Sequence, residues 1–196
     1  MLSGLVQFRI LEETIGKPLP YTGPELRPHW GLERTGVYGS LLTAFVGPCE
    51  VATGDLVDME DRLASDHIRA ASMLHVLAEF YGTTLEAGVL YQRLFMAWAE
   101  RLLREEGLKI ERRGDDLFVG EGKLSVSIAT VSPVSVLIHW GINIDPTGAP
   151  VRAAGLGALG WGSREALGFA KKLLSHYIGE LEEIRVAQCK VRPVSD

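Results

Sequence analysis

The sequence predicts an α+β fold: a single domain over residues 1–196, with a mixed or antiparallel sheet flanked by helices. Two observations predict it. Strand-like segments come in runs, and two long amphipathic segments lie between and after them, where a repeating βαβ sheet would alternate the two. The chain also has one-domain length. Its 196 residues are 46% hydrophobic and 23% charged. A chain of that size buries roughly 70% of its unfolded surface and needs no disulfide or metal staple.

Leu5–Leu11 reads as the first strand. Gly16, Pro18, Pro20, Gly23, Pro24 and Pro28 then fall within thirteen residues, a density that breaks regular structure and predicts a long loop. His29–Glu33 and Leu41–Val51 read as strands, the second interrupted at Gly47-Pro48. The acidic stretch Asp55–Asp66 reads as a solvated turn with helix N-capping. Met73–Tyr81 is uniformly apolar and fits a helix or a strand.

Thr83-x-x-Glu86 has the form of a capping box, in which side chain and backbone satisfy each other's orphan amides. Leu85, Val89, Leu90, Leu94, Trp98 and Leu102 then recur at helical spacing up to a stop at Gly107. Leu108–Arg112 starts a strand. Leu117–Val119 and Leu124–Val131 form a hairpin around Gly120-Glu121-Gly122. Val134–Ile144 is a long strand, and Ser163 caps a second amphipathic helix with Leu167, Leu174, Tyr177, Ile178 and Leu181 on its apolar stripe. Val186–Asp196 reads as a short strand or a frayed end.

Twenty basic and 25 acidic residues give a net charge of -5. That argues against duplex nucleic acid, whose binding calls for a basic face. Cys49 and Cys189 are far apart and form no CxxC, which excludes a cysteine zinc ribbon and fits a reducing cytoplasm. The N-terminus shows no signal-peptide pattern, and no apolar run reaches the ~18 residues of a membrane span. The expectation is a cytoplasmic protein with a small-molecule ligand and no membrane partner. The apolar stripes leave room for a homodimer.

The most informative chemistry lies in the hairpin and the strand after it. By strand periodicity Lys123, Ser125, Ser127 and Ala129 share one face, as do Ser135, His139, Gly141 and Asn143. If the two strands pair, these groups could form one polar surface, with Gly141 admitting a ligand or a backbone closely. The alternative is a half-exposed sheet with a solvated face. A lysine on such a sheet can neutralise an oxyanion, worth several kcal/mol in a dry site. The alternative for Lys123 is a surface lysine after a turn. His75 and Glu79 lie four apart and share a face as helix or strand, so they could bind a metal with acidic neighbours or pair with each other. No HExxH or paired HxH supports a metal site. Gly155-Leu-Gly157-Ala-Leu-Gly160 fits GxGxxG but does not directly follow its strand, so a dinucleotide fold is not expected.

The run 108–125 contains Asp115-Asp116-Leu117 and Gly122-Lys123-Leu124-Ser125. With the strand ending His139-Trp140-Gly141-Ile142-Asn143-Ile144, it resembles the core of the biotin protein ligase and lipoate ligase superfamily, and more remotely class II aminoacyl-tRNA synthetases. The resemblance covers about residues 70–145. It implies a ligase-like or acyltransferase-like activity on a small carboxylate such as lipoate or biotin, with ATP and magnesium as cofactors. It further implies that Lys123 contacts the acyl group, that Asp115 or Asp116 orients a magnesium ion or the lysine, and that Ser125, His139, Gly141 and Asn143 line the pocket. Asp115 stands where the superfamily has asparagine, and Val126 where it has glycine. No arginine-glycine phosphate loop precedes Lys123. Over most of its length the chain also resembles a prokaryotic domain-of-unknown-function family sharing Val57-Asp58-Met59-Glu60-Asp61 and Met73-Leu74-His75. Three functions follow as alternatives: an acyl ligase or transferase, a non-catalytic binding module on the same fold, and a metal-dependent hydrolase using His75 and Glu79.

Overall fold

The computed structural model describes residues 6–64 and 66–194. Leu5 of the predicted first strand and the last two residues of the predicted tail lie outside them. The main sheet has five strands: β1 (Val6–Ile10), β2 (Ser40–Val51), β3 (Ile68–Phe80), β7 (Ser125–Val131) and β8 (Val136–Asp145). Their order is β1-β2-β3-β8-β7. β1 runs parallel to β2 and every other neighbour is antiparallel, so the sheet is mixed. A second sheet joins β4 (Ile110–Arg113), β5 (Asp116–Val119) and β6 (Gly122–Lys123).

One face of the main sheet is covered by α3 (Leu85–Glu105) and α4 (Ser163–Cys189). Leu74, Val76 and Ala78 of β3 and Ile138, Trp140 and Ile142 of β8 meet Phe95, Leu102 and Leu174 there. Trp140 stacks on Phe95 with ring centroids 4.0 Å apart, a contact worth about 1 kcal/mol beyond its buried area. The opposite face is also buried. Phe45, Met73 and Leu77 pack there against Tyr21, Trp30 and Leu56. Burial on both faces removes the alternation that marks a half-exposed strand. This is why the apolar run over 73–81 carries no readable period, although it lies in β3.

The proline-rich loop over 16–28 supplies much of the second cover. The Leu19 amide donates to the Val46 carbonyl and the Tyr21 amide to the Pro48 carbonyl, both at 2.9 Å. β2 bulges between Gly47 and Cys49, at the predicted Gly47-Pro48 interruption. A Cβ on Gly47 would collide with the Leu19 backbone, so only glycine lets the loop lie on the strand here.

Four predicted elements are corrected. His29–Glu33 is not a strand: Trp30–Thr35 forms the short helix α1. His29 precedes it in the left-handed region at φ 65°, and its amide donates to the Glu79 carboxylate 2.8 Å away. That partner lies fifty residues along the chain, so no local signal announces it. The cap of α3 is Thr84, which accepts from the Ala87 amide, not Thr83. The predicted hairpin pairs only β5 with β6; at the fully buried Leu124 the chain leaves the small sheet and enters the main one. Finally, α4 continues through Val186 to Cys189 with no breaker to stop it. No described helix is long and apolar enough to cross a membrane.

Gly47→Ala is expected to lower the unfolding free energy by about 2 kcal/mol or more, since the Leu19 backbone cannot yield without losing its pairing to β2. Gly54→Ala, where a Cβ meets nothing within 4 Å, is expected to stay within about 0.5 kcal/mol of the parent. Urea unfolding of both variants checks the contrast.

Candidate functional site

A cavity of about 280 Å³ opens beside the β7 edge of the main sheet. Its floor is the face of β7 and β8 that carries Val126, Ile128, His139 and Asn143. Tyr21 lines the cavity above His139. The acidic segment around α2 (Met59–Leu63), whose N-cap Asp58 accepts from the Glu60 and Asp61 amides, lines it as well. The β5–β6 hairpin brings Asp116 and Lys123 to the rim.

The pairing register separates groups expected on one surface. Ser127 lies opposite Trp140 and Ser125 opposite Ile142, whereas Ile128 lies opposite His139 and Val126 opposite Gly141. Directly opposed residues share a face. Ser125 and Ser127 therefore turn to the helix side, away from His139, and reach the cavity only at the sheet edge. Their hydroxyls are bonded there. Ser125 Oγ accepts from the Leu117 amide at 2.8 Å. Ser127 Oγ donates to Asp115 and accepts from Gln92 Nε2 at 2.7 Å. Gln92 also donates to Asp115 Oδ2 at 2.8 Å, and this network fastens the small sheet to α3 and β7. Gln92 gave no sequence signal, since it sits on an otherwise amphipathic helix.

Lys123 Nζ lies 2.8 Å from Asp116 Oδ2. Burial pushes the Asp116 carboxyl above its ordinary range against the pull of Lys123. Burial, with Asp58 next to it, does the same to Asp61. The backbone of Lys123 is pinned. Its amide donates to the Arg152 carbonyl and its carbonyl accepts from the Ala154 amide, both at 2.9 Å. Asn143 Nδ2 donates to the carbonyls of Lys123 (3.2 Å) and Ala154 (3.1 Å), which fixes the orientation of its amide. Gly141 is not a cavity residue: a Cβ there would meet Met73 Cε at 2.6 Å and Val126 Cγ2 at 3.0 Å. The missing side chain makes room for the Met73 methyl, not for a ligand. The glycine run over 155–160 lies at a separate cavity.

His75 and Glu79 do not meet. Four residues of strand separate them by roughly 13 Å. Glu79 accepts from the His29 amide and from Ser135 Oγ at 2.6 Å. His75 instead faces His139, with Nδ1 and Nε2 3.1 Å apart, and its own Nε2 lies 3.3 Å from the Gly47 carbonyl. Tyr21 stacks on His139 with centroids 3.9 Å apart. The tautomers follow from the ends of this relay. A carbonyl only accepts, so His75 Nε2 carries the proton, His75 Nδ1 accepts, and His139 Nε2 donates. Tyr21 was missed in the sequence because nothing in a proline-rich loop marks one aromatic residue as a roof.

The cofactors implied by the resemblance meet an unfavourable lining. Six aspartates face the cavity (Asp55, Asp58, Asp61, Asp66, Asp115 and Asp116) against the side-chain cations Lys123 and Arg69. Lys123 is already paired with Asp116, so among the described residues a bare triphosphate would find Arg69 as the cation of the lining without an ion-pair partner. Among the described residues no three His, Cys, Asp or Glu side chains are placed to hold a metal ion. The lining disfavours a bare triphosphate, while one or two of these carboxylates together with phosphate oxygens could hold a magnesium ion.

Both imidazoles are wholly buried. Burial holds His75 down to about 3 and His139 well below its ordinary value. The folded protein keeps both neutral, while the unfolded chain binds protons below about pH 6.5. The unfolded state therefore binds more protons, and stability is fully present above about pH 6.5 and falls as pH drops toward 3. The expected slope approaches roughly 1.4 kcal/mol per pH unit for each histidine. Urea unfolding between pH 7.5 and 5 checks it. His139→Phe should roughly halve the slope, and a flat parent profile would show that neither imidazole is held neutral.

Comparison with known proteins bears on fold and family. A protein of unknown function from Pyrococcus horikoshi superposes with a TM-score of 0.87 at 35% identity, over 97% of this chain and 100% of that one. Biotin protein ligase from Aquifex aeolicus matches with a TM-score of 0.52 at 16% identity, over 93% of this chain and 72% of the ligase. Lipoate-protein ligase A, solved with ATP bound, matches at 0.52 and 12% identity, over 90% of this chain and 84% of the ligase. At such identities the ligases establish a shared fold, the one expected from the Lys123 hairpin. The family model described as a domain of unknown function (DUF366) matches residues 10–192, and the chain belongs to that family.

Proposed function

We propose that the chain binds a small ligand bearing a carboxylate or acyl group in the cavity beside Lys123, and acts on it in a ligase-like or acyltransferase-like way. The observation that carries this reading is the placement of Lys123. Its backbone is pinned by Arg152, Ala154 and Asn143, so its ammonium is delivered to the rim of a preformed cavity. Val51, Leu56, Ile68, Val126 and Ile128 give that cavity apolar walls for the body of a small molecule.

Asp116, 2.8 Å from the ammonium, holds it at the rim, where an incoming acyl oxygen can take its place. A lysine released onto a developing oxyanion in a dry site supplies several kcal/mol of stabilisation. Lys123 is the acyl-contacting group, Asp116 its holding partner, and Asp115, fixed by Gln92 and Ser127, positions the hairpin. The acidic lining favours a second reading, a binding module on the same fold with no nucleotide step. Binding of an acid without ATP would distinguish it.

The test is a thermal-shift and calorimetry panel of biotin, lipoate, octanoate and ATP against the parent, Lys123→Met and Lys123→Arg. At least one of the three acids is expected to bind the parent. Lys123→Met should weaken it by roughly tenfold or more, the scale of a lost charge-assisted hydrogen bond, with part retained in Lys123→Arg. Silence of all three acids, or equal binding to Lys123→Met, would overturn the reading.

A further inference from the structure

A second cavity, of about 420 Å³, lies on the same face of the main sheet as the one beside Lys123. Its floor is one row across three strands. Leu41 of β2 and Leu137 of β8 stand directly opposite Glu79 of β3, and opposed residues share a face. α1 and the loop before it cover the row with Leu26, Trp30 and Leu32. A carboxylate therefore stands between leucines, on a residue only 8% exposed. Its two partners are neutral donors: the His29 amide on Oε2 at 2.8 Å and the Ser135 hydroxyl on Oε1 at 2.6 Å. Of the other charged groups in the lining, Arg27 pairs with Glu33 and Glu25 accepts from Thr22. Burying a charge is costly unless an opposite charge answers it. Seating two neutral donors needs an acceptor, not a charge, so the structural role of Glu79 leaves its charge unexplained.

Three groups converge at that carboxylate. His29 gives it an amide, and His29 Nδ1 lies 2.9 Å from the Tyr81 hydroxyl. Tyr81 in turn lies beside Glu79: burial and this carboxylate together push its phenol up to about 12. The contacts close a triangle that fixes the carboxylate and the hydroxyl at one corner of the cavity. The corner is rich in acceptors. A carboxylate offers about four lone pairs, of which the His29 and Ser135 donors take two, and the phenol oxygen also accepts. Beyond the corner the walls are apolar, with Leu41, Leu77 and Leu137 facing Trp30 and Leu32.

We propose that this second cavity binds a small primary amine with an apolar body, an alkyl- or arylalkyl-ammonium ion, with its head group at Glu79 and Tyr81. The ammonium supplies donors to the carboxylate and to the phenol oxygen, and the positive charge that the buried carboxylate lacks. The apolar body lies on the leucines of the floor. An alcohol brings a donor without the charge, and an acid would set two negative groups together, so neither fits this corner. Among the described residues the two cavities share no lining residue, so the site stands apart from Lys123.

The experiment titrates hexylamine and 2-phenylethylamine into the full chain by calorimetry and thermal shift, beside hexan-1-ol and hexanoate as neutral and anionic counterparts. At least one amine is expected to raise Tm by roughly 5–10 °C at about 100 times its Kd. The alcohol and the acid should bind at least about tenfold more weakly. Glu79→Gln removes the charge but keeps an acceptor for the His29 amide, and the Ser135 hydroxyl can turn to accept from the new amide nitrogen. It should weaken the amine by roughly tenfold or more and leave the alcohol unchanged. Tyr81→Phe keeps the ring and should weaken the amine about threefold. Lys123→Met should leave amine binding as in the parent. Ligand-free melting of each variant controls for folding; if Glu79→Gln does not fold, Tyr81→Phe and the contrast of amine with alcohol decide. Silence of both amines, an alcohol that binds as tightly as its amine, or equal amine binding by the parent and a folded Glu79→Gln would overturn the proposal. So would an amine whose binding is lost in Lys123→Met, since that places it in the other cavity.

Discussion

The close approach of two backbones at Gly47 is the constraint on which the rest depends. With no side chain there, Leu19–Tyr21 lie on the β2 bulge and bond to the carbonyls on either side of it. That seating holds Tyr21 over His139, closes the second face of the sheet, and leaves the Gly47 carbonyl to accept from His75. Backbone close approach, loop anchoring and histidine tautomer are thus one feature. A side chain at this position would lift the loop, expose the imidazoles and open the cavity above His139.

The buried imidazole pair shows why polar groups stay inside this sheet. Two neutral rings, each bonded on the shared side, desolvate at little net cost, whereas a single unpaired ring would not. The pair needs the cross-strand register that sets His75 opposite Gly141 and His139 opposite Leu77, a diagonal at which aromatic rings on adjacent strands reach each other. Gly141 serves this register indirectly: the space a Cβ would take is filled by the Met73 methyl, which packs the floor between His139 and Asn143. Sheet packing and cavity chemistry are set by the same few positions of β3 and β8.

Much of the sheet and both long helices were legible because they follow simple periods. The apolar row of β8 and the stripe of α4 lie where the sequence put them, whereas α3 turns Phe95, Met96, Ala99, Leu102 and Leu103 inward and leaves the expected Leu85 and Leu90 exposed. What failed depends on distant partners. His29 enters a helix because its amide finds Glu79 across the fold, and α1 is too short to show a period. The expected single polar face failed because Leu124 turns the chain from one sheet to another before β7 begins. The spacing of Lys123, Ser125 and Ser127 therefore does not carry one face onto the next strand. At the site, Lys123, Asp115, Asp116, Ser125, His139 and Asn143 converge on one cavity. Tyr21 and Gln92 could not be found, since their roles come from a loop crossing and from a helix face meeting an edge strand.

The charge of this cavity is uneven. The net charge of -5 is not spread evenly, since six aspartates gather at a small cavity whose cations are Lys123 and Arg69. A low-dielectric cleft focuses such a field, and burial has already moved Asp61 and Asp116 toward their neutral forms. An anion as large as a triphosphate would enter against that field with no arginine-glycine loop to receive it. The likeness to the ligases extends to the fold, and the charge of this cavity comes from its own lining residues.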